Sequence, residues 1–109
     1  MEPEFPIEFG VTGTPVSHQC QHKLARREWK ERVLASCLES IGEPVFAVEN
    51  AVTVVIYYFP VEDAQGDLDN ITKLILDALV PHVLMDDSQV ESIIVRRFKP
   101  GVALELRNI

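Results

Sequence analysis

Residues 66–79 of the chain read GDLDNITKLILDAL, and the interpretation of the remaining sequence depends on this stretch. Its apolar residues recur at helical spacing: Leu68, Ile71, Ile75, Ala78 and Leu79. We therefore predict a helix over residues 70–79 that ends before Pro81. Gly66 and two aspartates precede the periodic part, so residues 66–69 are predicted to be extended.

Asp67 and Asp69 are the first candidate site residues. In an extended segment, side chains two residues apart share one face, whereas on a helix they point in different directions. If residues 66–69 are extended, both carboxylates can point at a single ligand. The alternative is an ordinary helix start, in which Asp69 caps the helix and interacts with its dipole.

A second acidic pair, Asp86 and Asp87, follows the predicted helix. Each acidic pair alone is also typical of a turn or a helix cap. The two acidic pairs together favour a binding site for a hard cation, because Mg²⁺ is usually held by a few carboxylates together with water and substrate phosphate. The sequence leaves open which of Asp86 and Asp87 faces inward, and whether one or two metal ions bind.

Lys73 lies between the two acidic pairs, one helical turn after Asp69 and one before Asp77. Its ordinary role would be an i, i+4 salt bridge, which stabilises a helix by only about 0.3–0.5 kcal/mol. Its functional role would be to stabilise the charge that develops on a phosphate during cleavage. Ser17 and His18 are adjacent in a predicted loop without an evident third partner, so nucleophilic serine chemistry is not expected.

The flanking segments supply the other predicted elements. Residues 51–59 (AVTVVIYYF) and 90–98 (VESIIVRRF) are rich in β-branched and aromatic residues, which predicts two strands. Residues 102–108 (VALELRN) predict a final strand paired as a hairpin. Residues 4–11 (EFPIEFGV) alternate and predict a first, edge strand. Residues 21–41 carry one apolar face and predict a helix.

The predicted order is therefore β-α-β-α-β-β, an α+β fold with a small mixed sheet and two helices. The chain has 109 residues, 47% apolar and 25% charged, which predicts one domain over residues 1–109. It has no apolar run long enough for a membrane helix, and its first residues lack the positive charge of a signal peptide. We expect a cytoplasmic protein that does not bind membranes.

Cys20 and Cys37 are the only cysteines. Placed on one predicted helix, they would lie roughly 25 Å apart, which is beyond the reach of a disulfide. We therefore expect two free, reduced thiols.

The net charge of −7 opposes long-range attraction to nucleic acid. The cations are nevertheless clustered on the first predicted helix and near the end of the strand at 90–98. Six of them are candidate DNA-phosphate contacts: Lys23, Arg26, Arg27, Lys30, Arg96 and Arg97. The four on the helix are spaced i, i+3, i+4, i+7 and share one side, although such a basic face is more often only solvated.

The combination of GDLDNITKLILDAL, VLMDDSQV and the basic VRR resembles the RusA-type Holliday junction resolvases. The resemblance is dense over residues 66–97 and thinner elsewhere. It implies a RusA-like fold and a Mg²⁺-dependent endodeoxyribonuclease, usually phage-derived, that resolves branched DNA in recombination and repair. It also implies a homodimer, and Mn²⁺ is expected to substitute for Mg²⁺.

By position, Asp67 and Asp69 match the family's paired metal-binding aspartates, Asp87 its third acidic ligand, and Lys73 its essential lysine. These four are the catalytic residues that the resemblance implies. The acidic net charge departs from the family, whose members tend to be basic. The alternative is a non-catalytic or degenerate RusA-like module that binds nucleic acid or a protein.

A homodimer is expected because a junction resolvase must cut two symmetrically placed strands. Such a dimer needs exposed apolar surface. The sequence suggests that four residues of or near the second helix supply it: Ile75, Leu76, Val80 and Val83.

Overall fold

Both predicted helices and the two central strands are present in the computed structural model, which describes residues 5–42, 47–62 and 67–101. The elements in chain order are α1 (Lys23–Ile41), β1 (Val52–Tyr58), α2 (Leu68–Leu79), a 3₁₀ helix (Asp87–Gln89) and β2 (Val90–Arg97). Two helices with a small sheet form an α+β arrangement, as predicted. None of the described helices combines the length and the apolarity needed to cross a membrane.

Helix α1 buries one face through Trp29, Val33 and Cys37, which follow the predicted i, i+4, i+8 spacing. It ends at Gly42, which adopts φ 79° and donates its N–H to the Leu38 carbonyl at 2.9 Å. Glycine adopts this conformation without the steric penalty of a side chain. Cys20 precedes α1, so the two cysteines do not share one helix, but both are free as expected.

Helix α2 is buried over a wide face, because it contacts both α1 and β2. Its buried residues are Ile71, Thr72, Leu74, Leu76 and Ala78. Leu74 and Ala78 pack with Trp29 and Val33 in the main apolar cluster. The remaining side of α2 is left for polar residues.

Strands β1 and β2 pair in parallel, with Val54 opposite Ile93 and Tyr58 opposite Arg97. Two parallel strands need a crossover connection, and α2 lies in that connection. Helix α2 therefore starts near the carboxyl ends of the strands and finishes near their amino ends. We call these the carboxyl end and the amino end of the domain.

The predicted first strand is wrong, because residues 5–11 form neither helix nor strand. Their alternation does reflect alternating burial: Ile7, Phe9 and Val11 are half-buried, and the residues between them are exposed. Phe9 and Val11 pack against the cluster around Trp29 instead of pairing with a strand. The predicted strand over 102–108, and with it the antiparallel part of the mixed sheet, lies outside the described residues.

The apolar surface predicted for a dimer is partly internal. Leu76 and Val83 are only 8% and 3% exposed, because they pack within the chain. One face of the sheet instead exposes large apolar side chains: Val55 (50%), Tyr57 (42%) and Ile94 (56%). Val55 and Ile94 are directly paired across the strands, so their exposed surfaces adjoin.

Candidate active site and basic groove

Helix α2 begins at Leu68, two residues earlier than predicted. Asp67 is its N-cap, with an extended backbone, and its Oδ1 accepts the Asp69 N–H at 3.3 Å. Asp69 lies in the first helical turn, so the prediction that both aspartates are extended is wrong for Asp69. The cause is the capping contact, which satisfies a helix N–H that has no partner within the helix. Both carboxylates nonetheless lie at the carboxyl end of the domain.

Asp67, Asp69 and Lys73 are all exposed. Ion pairs within the described ranges include His18–Asp77 and Arg27–Glu31, and Lys73 pairs with neither Asp69 nor Asp77. The alternative role for Lys73, a salt bridge to Asp69 or Asp77, is therefore not formed. Lys73 presents its ammonium to solvent one turn from the acidic start of α2.

The second acidic pair lies in the turn before β2. The Asp86 Oδ2 accepts the Ser88 hydroxyl at 2.8 Å, and the Asp86 N–H donates to the Gln89 side chain at 2.8 Å. The hydrogen bond from Ser88 is the largest cause that lowers the pKa of Asp86. Asp86 thus helps to hold the turn together. Asp87 is exposed and its side chain also interacts with that of Asp86, and it stays the candidate for an external ligand that the resemblance implies.

The two acidic pairs lie at opposite ends of the domain. The Gln89 amide donates to the Val48 and Asn50 carbonyls at 2.6 and 2.9 Å, which places this turn at the start of β1. Asp67 instead follows the end of β1, and α2, about 18 Å long, lies between the two pairs.

Asp87 therefore does not meet Asp67 and Asp69 within one chain. Among the residues that the structure describes, no group of three or more His, Cys, Asp or Glu side chains is placed to hold a metal ion. The exposed carboxylates are suitable donors for Mg²⁺, but a single chain does not complete the predicted set of three.

A groove of about 510 Å³ lies between α1 and α2. We call it the basic groove, and its lining residues are His18, Lys23, Arg26, Arg27, Lys30, Leu74 and Asp77. The four cations predicted to share one side of the first helix thus line one concave surface. Such a concentration of positive charge suits a phosphate-bearing ligand.

His18 fixes one wall of the basic groove to α2. Its backbone N–H donates to the Asn70 carbonyl at 2.9 Å, and its Nδ1 lies 3.5 Å from the Asp77 Oδ2. The Arg26 guanidinium donates to the Cys20 carbonyl on the same side. The sequence did not predict that His18 or Asp77 belongs to this groove, because a contact between distant segments leaves no periodic signal.

Arg96 and Arg97 lie at the carboxyl end of the domain, near the end of β2. Neighbouring residues on a strand point to opposite faces. The Arg96 guanidinium lies 4.3 Å from the centre of the Phe98 ring, and that of Arg97 lies 5.7 Å from the Tyr58 ring. Phe98 also stacks on Phe59 at 4.5 Å. This places cations and aromatic rings at the end of the domain that carries Asp67 and Asp69.

A comparison with protein-family models matches residues 16–107 to the family described as Endodeoxyribonuclease RusA. Searches of curated proteins and of solved structures gave no significant match. The matched range contains both acidic pairs, Lys73 and the basic groove, and it covers nearly the whole chain. The chain therefore belongs to the RusA family of endodeoxyribonucleases.

Proposed function

We propose that this protein is a Mg²⁺-dependent endonuclease that resolves four-way DNA junctions and related branched DNA in recombination and repair. The observation that carries the proposal is the exposed set Asp67, Asp69 and Lys73 at the start of α2, in a chain of the RusA family. Mn²⁺ is expected to replace Mg²⁺, because both accept carboxylate and water ligands.

Asp67 and Asp69 supply the carboxylate oxygens that a hard cation prefers. A bound Mg²⁺ would polarise a phosphate oxygen and generate a nucleophilic water. Lys73 would stabilise negative charge on the same phosphate, since this residue follows Asp69 by one turn of α2. All three side chains are exposed, so DNA can reach them.

The proposed enzyme is a homodimer. Asp87 can join Asp67 and Asp69 around one metal ion only if it comes from a second copy, because α2 separates them within one chain. The exposed sheet face of Val55, Tyr57 and Ile94 supports this assembly, since monomeric proteins rarely expose large adjoining apolar side chains. Two symmetric active sites suit the two symmetric cuts that junction resolution requires.

The basic groove and the pair Arg96 and Arg97 are the proposed DNA contacts. Contacts to phosphate position a substrate without reading its sequence, which suits an enzyme that recognises branched structure. The net charge of −7 is then carried by surfaces that DNA does not touch.

The direct test is incubation of the purified protein with a synthetic four-way junction and Mg²⁺. We expect paired, symmetric nicks from the wild type. We expect no nicks from Asp69→Asn, although this variant should still bind the junction. Glu28→Gln removes an exposed acid of α1 outside the groove and should cleave like the wild type. Intact junctions over a range of salt and metal concentrations would overturn the proposal.

The alternative is a RusA-like module that binds nucleic acid or a protein without catalytic activity. The acidic net charge favours this alternative, because the family's enzymes tend to be basic. Calorimetric titration with Mn²⁺ separates the two functions. The enzyme should take up the metal and lose this binding in Asp69→Asn. A binding module need not take up metal at Asp69.

A further inference from the structure

The polar stripe of α2, defined here as Asp69, Lys73 and Asp77, connects the candidate active site to the basic groove. These residues are spaced i, i+4, i+8 and therefore lie along one side of the helix. Asp69 belongs to the acidic start of α2, and Asp77 lines the groove. Eight residues of helix correspond to a distance of about 12 Å.

That distance corresponds to a short length of DNA. One strand of a duplex advances about 3.4 Å per nucleotide along the helix axis, and its backbone path is longer than this rise. A strand that runs along α2 from Asp69 to the basic groove therefore spans at most about four nucleotides.

The basic groove contains positive charge that neighbouring acidic residues do not neutralise and that can attract a phosphate. It contains four of the ten Lys and Arg residues of the chain and one acidic residue, Asp77. The Asp77 Oδ2 lies 3.5 Å from the His18 Nδ1, so this carboxylate faces the imidazole. Arg26 donates to a neutral carbonyl, and the Arg27–Glu31 contact is long, at 4.0 Å, and exposed. Such an exposed pair contributes little.

We propose that the basic groove is a subsite for the sugar–phosphate backbone of the strand that is cut. It binds phosphates within about four nucleotides of the scissile phosphate, on one side of the cut only. His18 is a further phosphate-contacting residue of this subsite, positioned by Asp77 and by the Asn70 carbonyl. This inference rests on the proposed function, because it takes the start of α2 as the place of cleavage.

The test uses four-way junctions in which one phosphate near the cut is replaced by an uncharged methylphosphonate. Moving the replacement through successive positions on both sides of the cut maps the phosphates that matter. We expect wild-type cleavage to slow by about two- to fivefold inside a window of at most about four nucleotides on one side, the effect of losing an exposed ionic contact.

Variants of groove residues test whether the groove causes this window of sensitivity. In the variants Lys30→Gln, Arg27→Gln and His18→Gln, a methylphosphonate at a sensitive position should slow cleavage less than it does in the wild type. The reason is that the substitution has already removed the contact between the groove and that phosphate. Lys99→Gln removes an exposed cation outside the groove and should retain the full sensitivity. Circular dichroism and thermal unfolding check that each variant is folded, and the three groove variants provide independent tests.

The outcomes separate the two proposals. If the unmodified junction is not cut, the proposed function is overturned and this subsite with it. If the junction is cut but no replacement slows cleavage, only the subsite is overturned. The subsite is also overturned if the folded groove variants keep the full wild-type sensitivity.

Discussion

At the scale of single residues, Asp67 has two roles. Its carboxylate accepts the Asp69 N–H and caps α2, and it is also a proposed metal ligand. Asparagine caps helices about as well as aspartate, whereas alanine does not. The two roles can therefore be separated by substitution.

We predict that Asp67→Ala lowers the free energy of unfolding by about 0.5–2 kcal/mol, because the helix cap is lost. Asp67→Asn should unfold nearly like the wild type in urea. Both variants should lose junction cleavage, because each removes the carboxylate. If Asp67→Ala is as stable as Asp67→Asn, the capping contact does not stabilise the helix.

The two thiols should differ in reactivity. Burial raises the pKa of the Cys37 thiol to about 11, because the thiolate is poorly solvated there. Cys20 is only half-buried and precedes α1. We predict that a thiol reagent at pH 8 modifies Cys20 quickly and Cys37 only on unfolding. In Cys20→Ser, the native protein should therefore show almost no fast reaction, and a fast phase there would contradict the burial of Cys37.

The raised pKa of Cys37 also has a consequence for stability. Because the folded-state pKa lies above the ordinary thiol value of 9.0, the neutral thiol favours the folded state. This contribution is fully present below pH 9 and is lost as the pH rises towards 11. Relative to Cys37→Ser, the free energy of unfolding of the wild type in urea should therefore be higher at pH 8 than at pH 10.

At the scale of elements, the stability of the helix pair depends on the cluster of Trp29, Val33, Leu74 and Ala78. Leu74 is 2% exposed. We predict that Leu74→Ala lowers the free energy of unfolding by about 2–5 kcal/mol, because it leaves a cavity in a packed core. The fluorescence of Trp29, the single tryptophan, can follow the transition. Leu24→Ala, at a 56% exposed position of α1, is the matched control and should change stability by less than about 0.5 kcal/mol.

The elements also show what the sequence could predict. The apolar periodicity of α1 and α2 predicted both helices to within two residues, because burial on one face is a local signal. Alternation over residues 5–11 predicted a strand wrongly, because packing against a helix cluster produces the same alternation. An alternation of apolar and polar residues indicates alternating burial, but it does not indicate what the buried residues pack against.

For the candidate site, the sequence supplied candidate residues, and part of their predicted geometry differs from the structure. Acidic residues before a helix fit both an extended segment and a cap. The alternative made Asp69 the cap, whereas in the structure Asp67 is the N-cap and Asp69 lies in the first turn. The pairing of His18 with Asp77 requires the docking of two distant segments, which no local pattern encodes. The distance between the two acidic pairs likewise follows from the parallel pairing of β1 and β2.

At the scale of the whole molecule, the candidate site residues lie at two ends of the domain. The carboxyl end of the domain carries Asp67, Asp69 and the Arg96–Arg97 pair, and the amino end carries Asp86 and Asp87. A second copy related by two-fold symmetry can bring the amino end of one chain to the carboxyl end of the other, which a monomer cannot do. The central claim is therefore a shared active site in a symmetric dimer that cuts DNA.

Complementation between two inactive variants tests this claim most directly. Asp69→Asn and Asp87→Asn are co-expressed with different tags, and the mixed dimer is purified through both tags. If each active site takes Asp69 from one chain and Asp87 from the other, one active site of the mixed dimer is fully wild type. The other active site lacks both carboxylates. We predict that each parent dimer is inactive and that the mixed dimer nicks a four-way junction in one strand. A purified mixed dimer as inactive as its parents would contradict the account.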